Sequence, residues 1–211
     1  MNGHMKPADI EKRSFAIITE ELGGRTFPDG VAEVVKRVIH TSADFDYADN
    51  LCFSPDAVEK AKAALEAGAT IVTDTNMALA GISKPTLAKL GGRAVCLMAD
   101  EAVAREAKER GVTRATVSME HAAKLDGPLI FAIGNAPTAL IRLHELIEEG
   151  AVSPALVIGV PVGFVNVVES KELFLGVDTP YIIARGRKGG SNVAAAIVNA
   201  LLYQIIKREG F

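Results

Sequence analysis

Five short apolar runs, separated by longer stretches of helical periodicity, constrain this chain more than any other feature. They are "TIVTD" (70–74), "AVCLM" (94–98), "LIFAIG" (129–134), "ALVIGV" (155–160) and "YIIARG" (181–186). None of them alternates apolar with polar residues. A strand with one wet face must alternate, so continuous apolar runs belong to strands covered by helices on both faces, the environment of a parallel sheet. The segments between them supply those helices, among them "DEAVAREAKERG", "APTALIRLHELIEEG" and the closing "GGSNVAAAIVNALLYQIIKR". Right-handed crossovers thread such an alternation into one topology class. The expected fold is therefore α/β and doubly wound, with a mostly parallel sheet of about five strands and helices on both faces.

Upstream of the strands the periodicity predicts a helix over 7–22, with Ile10, Ile17, Ile18 and Leu22 along one side and a stop at Gly23-Gly24. A second helix is predicted over 30–41, where Val31, Val34, Val35, Val38 and Ile39 recur at core spacing. "SPDAVEKAKAALEAG" predicts a third, with Ser54 as N-cap, Pro55 in the first turn and Gly68 at the end. No repeat, low-complexity tract or linker divides the chain. It reads as one domain over 5–211, with Met1 to His4 a cloning remnant and Met5 the natural start.

Composition narrows the function classes. With a net charge of -3 the chain has no global basic field for nucleic acid or anionic lipid, so an anionic ligand must be held by local cations and amides. No run approaches the ~18 apolar residues of a membrane span. Cys52 and Cys96 are too few and too far apart for a zinc pattern and read as reduced, partly buried thiols, which favours the cytoplasm.

Ligands of an open parallel sheet bind beyond the carboxyl ends of its strands. The segments there are "TDTNMALAG" (73–81), "GNAPT" (134–138), "GVPVGF" (159–164) and "RGRKGGSN" (185–192), rich in residues that tolerate unusual backbone angles and close approach. In the last, Arg185, Arg187 and Lys188 precede Gly189-Gly190 and a helix start at Ser191. Cations, free amides and a positive helix end suit carboxylate or phosphate; a solvated turn with a Ser or Asn cap is the alternative. Asn135 and Thr138 either bind ligand or cap the helix that follows. Neither GxGxxG nor GxxxxGK[ST] occurs, which argues against a dinucleotide or a P-loop nucleotide.

His121 and His144 fall inside charged helical patterns and read as surface residues. His40 differs, because it ends the second helix and is followed by Thr41, Ser42, Asp44, Asp46 and Asp49. A side chain that titrates near neutral pH stands where a helix end carries partial negative charge. Both a proton donor and a surface residue fit that position. The acids after it lack the spacing of a calcium loop, so no metal site is expected.

Beyond these physical readings, the blocks "KRSFAII", "RVIHTSADFDY", "TDTNMALAGI", "GNAPTAL", "GVPVGFV" followed by "ESKE", and "GRKGGSNVAAAIVNALLY" resemble, in order from about residue 8 to 204, the precorrin-8X methylmutase family of corrinoid biosynthesis. The resemblance implies a cofactor-independent isomerase that moves a methyl group from ring carbon 11 to ring carbon 12 of the macrocycle. It places the catalytic histidine on His40 and substrate contacts on Ser14 and Arg114, beside the rim contacts Asn135, Thr138, Arg187, Lys188 and Ser191 suggested by the loops. "HTSADFDY" and "GRKGGSN" look more like the anaerobic branch, which implies cobalt-precorrin-8 and cobyrinate as substrate and product; metal-free precorrin-8X giving hydrogenobyrinate is the alternative. A homodimer and transient contacts with neighbouring cobalamin-pathway enzymes are also implied. A non-catalytic corrinoid carrier would use the same pocket. The chain departs from the family at Asn166, Val167 and Val168, where small residues are common.

Overall fold

A computed structural model describes residues 7–207, so the reading of Met1 to His4 lies outside the described residues. Two helices, α1 (Pro7–Glu21) and α2 (Val31–Ser42), and a single turn α3 (Tyr47–Asn50) lead into strand β1 (Leu51–Phe53). Then follow α4 (Ala57–Glu66), β2 (Thr70–Thr73), α5 (Asn76–Gly81), α6 (Lys84–Lys89), β3 (Arg93–Val95), α7 (Glu101–Arg110) and α8 (Arg114–Ala122). The second half runs β4 (Leu129–Ile133), α9 (Pro137–Glu148), β5 (Leu156–Gly159), α10 (Val167–Glu172), β6 (Tyr181–Ala184) and α11 (Ser191–Ile205).

The sheet has six strands in the order β1-β6-β5-β4-β2-β3, five of them parallel and β1 antiparallel to β6. Sequence patterning expects about five strands; the extra one is a three-residue edge strand too short to carry a period. Its ladder continues past Phe53, where Ser54 N donates to Tyr181 O and Tyr181 N donates to Ser54 Oγ. Ser54 therefore extends the hydrogen bonding of this ladder and is not the helix cap expected of it. That position is taken by Asp56, in the left-handed region at φ 58°. The run 94–98 shortens to a strand ending at Val95, since β3 is the other sheet edge and has a partner on one side only.

Both faces are covered, as the unbroken apolar runs require. Ile71, Ile130, Ala132, Ile158 and Ile182 face a core shared with α2, α4 and α11, while Val72, Phe131, Ile133, Val157 and Ile183 face one shared with α8 and α9. Helix α11 is buried almost throughout, and its alanines, Ala194 to Ala196 and Ala200, let it lie close to both α2 and α5. The stripe of α2 is buried as its spacing predicts. On α1 Ile18 is buried, as is Leu22 just past its end, whereas Ile10 and Ile17 are 53% and 40% exposed, because α1 rests on α2 along one narrow line.

The outer layer of α7, α8 and α9 is laced by ions. Arg110 pairs with Glu106 and Glu120, and Arg142 with Glu120, Glu145 and Glu149. His121 and His144 are half-buried here, beyond the plain surface role expected: His121 Nε2 lies 2.7 Å from Glu106, and His144 meets the edge of Phe174. Cys52 and Cys96 are free and partly buried. No described helix is long and apolar enough to cross a membrane.

Removing the hydroxyl that extends the β1–β6 ladder tests this edge. Ser54→Ala should lower the urea-unfolding free energy by about 1–2 kcal/mol, the cost of leaving the Tyr181 N–H short of its acceptor; an unchanged midpoint would contradict the assignment.

Candidate active site

The parallel strands all end on one edge, and β1, running the other way, begins there. The end of α2 therefore arrives at the same edge: Arg185 N, just past β6, donates to Asn50 O. His40 occupies the last turn of α2, exposed to solvent. Phe15 of α1 stacks on its ring at 5.1 Å between centroids and 8° between planes, which sets the plane of the imidazole. Ser14, one residue before Phe15, lines the same depression of about 260 Å³ together with Ile39, Ala43 and Phe45. Its Oγ donates to Ile10 O at 3.0 Å, leaving lone pairs free to accept from a ligand.

After His40 the chain turns sharply. Ala43, at φ 53°, ends the helix, Asp44 N donates to Ser42 Oγ, and Asp46 N donates to Asp44 Oδ1. Lys188 then spans from the loop after β6, donating from Nζ to Asp44 at 2.6 Å and Asp46 at 2.7 Å. These bonds hold the Asp44 carboxyl below the usual carboxylate range and push the Lys188 ammonium up. A substrate carboxylate reaching Lys188 has two internal competitors.

The loop carrying Lys188 is stitched from several sides. Beneath it the buried Lys171 of α10 donates from Nζ to Gly186 O and Lys188 O, both at 2.8 Å, and burial pushes this lysine down to about 8. Gly163 N donates to Arg187 O, and Gly190 N donates to Val160 O. A Cβ on Gly189 would stand 2.1 Å from Val160 O, so only glycine lets the loop lie this close to the end of β5. Arg187 is thrown outward, its guanidinium 5.5 Å from the ring centre of Phe164, itself 84% exposed.

A second buried ion organises the centre of the edge. Asp74, just past β2, accepts from Gly134 N at 2.9 Å, Asn135 N at 2.8 Å and Ala136 N at 2.6 Å. Burial pushes its carboxyl up, and the three amides oppose that shift without cancelling it. Those amides are spent on Asp74, so Asn135 has its exposed side chain left for a ligand. Alongside, Thr75 Oγ1 lies 2.8 Å from Ser191 Oγ, so Ser191 is tied to the loop after β2. Thr113, the cap of α8, donates from Oγ1 to Thr138 Oγ1, which ties the start of α8, where Arg114 is the first residue, to the start of α9.

The edge thus gathers the residues singled out in the sequence, in groups. Ser14 and His40 share one depression on helices of one core, while Arg114 and Thr138 sit on helices of the other. Asp74, Lys171 and the partnership of Asp44 and Asp46 with Lys188 were not foreseen as parts of the site. An acid closing a buried strand at Asp74 was a usable signal. Lys171, inside the hydrophilic "ESKE", carried none, because burial of a lysine there depends on where α10 docks.

Comparison with known proteins points one way. A family model described as precorrin-8X methylmutase matches residues 9–204. The chain is 47% identical over 209 residues to the cobalt-precorrin-8 methylmutase of Salmonella typhimurium, covering 95% of this chain and 96% of that one. It is 46% identical over 197 residues to the cobalt-precorrin-8 methylmutase of Priestia megaterium, covering 93% and 88%. The fold superposes on a crystal structure of the precorrin-8X methylmutase of Thermus thermophilus with a TM-score of 0.84 at 40% identity, covering 92% and 95%.

Asp74→Asn keeps the shape of the anchor but turns an amide group toward at least one of the three N–H donors. Its unfolding free energy should fall by about 2 kcal/mol, the scale of a hydrogen bond to a charged group, and hydrogen exchange at 134–136 should quicken; protection equal to wild type would show that Asp74 does not anchor this loop.

Proposed function

We infer the reaction from the premise that this chain belongs to the precorrin-8X methylmutase family. It is an isomerase of cobalamin biosynthesis, and the reaction it performs moves a methyl group from ring carbon 11 to ring carbon 12 of the macrocycle. One carbon–carbon bond breaks as another forms, and no atom is gained or lost overall. The substrate we propose is cobalt-precorrin-8, converted to cobyrinate, a choice supported by the names of the Salmonella and Priestia relatives. Cobalt then arrives with the substrate.

The observation that carries the assignment of the acid is the pairing of His40 with Ser14 in one depression, under a ring stack that fixes the imidazole. A methyl shift around a conjugated ring is slow while the π system is electron-rich. In this reading His40 donates a proton or a hydrogen bond to the macrocycle, makes it more electrophilic, and recovers the proton once the methyl has moved. Ser14 accepts or donates at the neighbouring rim. Arg114, Asn135, Thr138, Arg187 and Ser191 hold the peripheral carboxylates and so fix the ring against the acid. Lys188 serves chiefly as a strut through Asp44 and Asp46, with its residual field turned toward the rim.

We further propose that the protein acts as a homodimer in the cytoplasm. Ile10 and Ile17, exposed on the same helix as Ser14, support a second copy covering α1 and bringing the two groups of site residues under one macrocycle. Transient contacts with the enzymes that supply substrate and take product fit the same setting.

His40→Ala should bind cobalt-precorrin-8 with near wild-type affinity but turn it over about 10²- to 10⁴-fold more slowly, the range of positioned acid catalysis, followed by the absorption change of the macrocycle. Unchanged turnover overturns the assignment of His40. The same assay with metal-free precorrin-8X should give the lower kcat/KM, and binding by wild type without any spectral change would mark a carrier.

A further inference from the structure

Lys171 is 1% exposed and, among the described residues, has no carboxylate partner for its hydrogen bonds; its ammonium is spent on two backbone carbonyls. Burying a lysine without a counter-charge is costly, and a loop that needed only packing would place an apolar side chain there. What the lysine achieves is geometric. Gly186 O and Lys188 O both accept from Nζ, while the carbonyl between them, Arg187 O, accepts from Gly163 N. Three successive carbonyls are each held by a donor, and the backbone at Lys188 is fixed by the buried ammonium. From that backbone the Lys188 side chain spans to Asp44 and Asp46, four and six residues after His40. Asp44 is joined to the end of α2 through Ser42.

We propose that Lys171 is a positioning residue for His40: by holding the carbonyls of Gly186 and Lys188 it sets the strut that Lys188 makes to Asp44 and Asp46, and so ties the helix end bearing His40 to the loop that meets the substrate. The proposal rests on the reading of His40 as the acid. An inner clamp of two charge–carbonyl bonds and an outer clamp of two ion pairs act in series. Loosening either one frees the same joint, so the two are energetically coupled. The depression of Asp44 by Lys188 fits an outer clamp that is engaged at neutral pH.

The test uses Lys171→Met, the surface double variant Asp44→Asn/Asp46→Asn, and their combination, in the full chain. Hydrogen exchange over 40–46 should quicken in both parents, and kcat with cobalt-precorrin-8 should fall about tenfold in each, as expected for a misplaced catalytic group. The combination should be no slower than the slower parent. Additive losses, or exchange over 40–46 unchanged in Lys171→Met, would overturn the proposal. Where Lys171→Met does not fold, the double variant alone decides, since wild-type kcat there removes the strut from catalysis. Turnover retained by His40→Ala defeats the reading of the acid and leaves the exchange result standing; an inactive His40→Ala with unaltered exchange in Lys171→Met defeats the clamp alone.

Discussion

A sheet buried on both faces has no room for polar chemistry except along its ends. Here helices α2, α4 and α11 seal one face and α8 and α9 the other, so that strands β2, β4 and β5 are buried at every residue. The carboxyl edge is what remains. Every loop that leaves a parallel strand must cross it, and the single antiparallel strand brings the end of α2, with His40, to the same place. The gathering of site residues follows from topology before any of their mutual contacts is considered.

Loops that lie over a dry core carry backbone groups that need partners. This protein meets that need with two buried ions of opposite sign. Asp74 takes three successive amides after β4, and Lys171 takes two carbonyls after β6. Among the described residues neither has a counter-charge as a hydrogen-bond partner; each is solvated by main chain. Amides at 134–136 and carbonyls at 186 and 188 are thereby withdrawn from a ligand, and in the proposed reading side chains such as Asn135, Thr138 and Arg187 meet it instead. Rigid loops with outward side chains suit a large flat molecule with acidic groups on its rim, since the positions of those groups are set by the macrocycle and not by the protein.

Much of this could be read from residue order. The stripe Val31, Val34, Val35, Val38 and Ile39 is buried as its 3.6-residue spacing requires, and the central strands lie where the unbroken apolar runs are. The carboxyl-edge loops are legible because Gly, Pro and Asn cluster after those runs, and His40 because it ends the stripe of α2 with acids following it. Ser54 was misread because a serine before proline has the look of a helix cap, and only the approach of Tyr181, 127 residues away, makes it part of a ladder. The short β1 and the exposure of Ile10 and Ile17 were illegible for a related reason: three residues carry no period, and α1 has too few neighbours to use its whole apolar side.

By itself the sequence determined the class of fold and the family, and pointed to the carboxyl edge and to the residues proposed for the site, because these depend on local periodicity and on motifs that survive as strings. Tertiary structure alone decided what the charges do. Lys188 reads as a free cation until Asp44 and Asp46, more than 140 residues earlier, are folded against it. Lys171 reads as a surface residue until α10 docks and excludes water from it. A charge acquires its meaning from the dielectric around it and from the partners within a few ångströms, and neither is a property of the neighbouring letters.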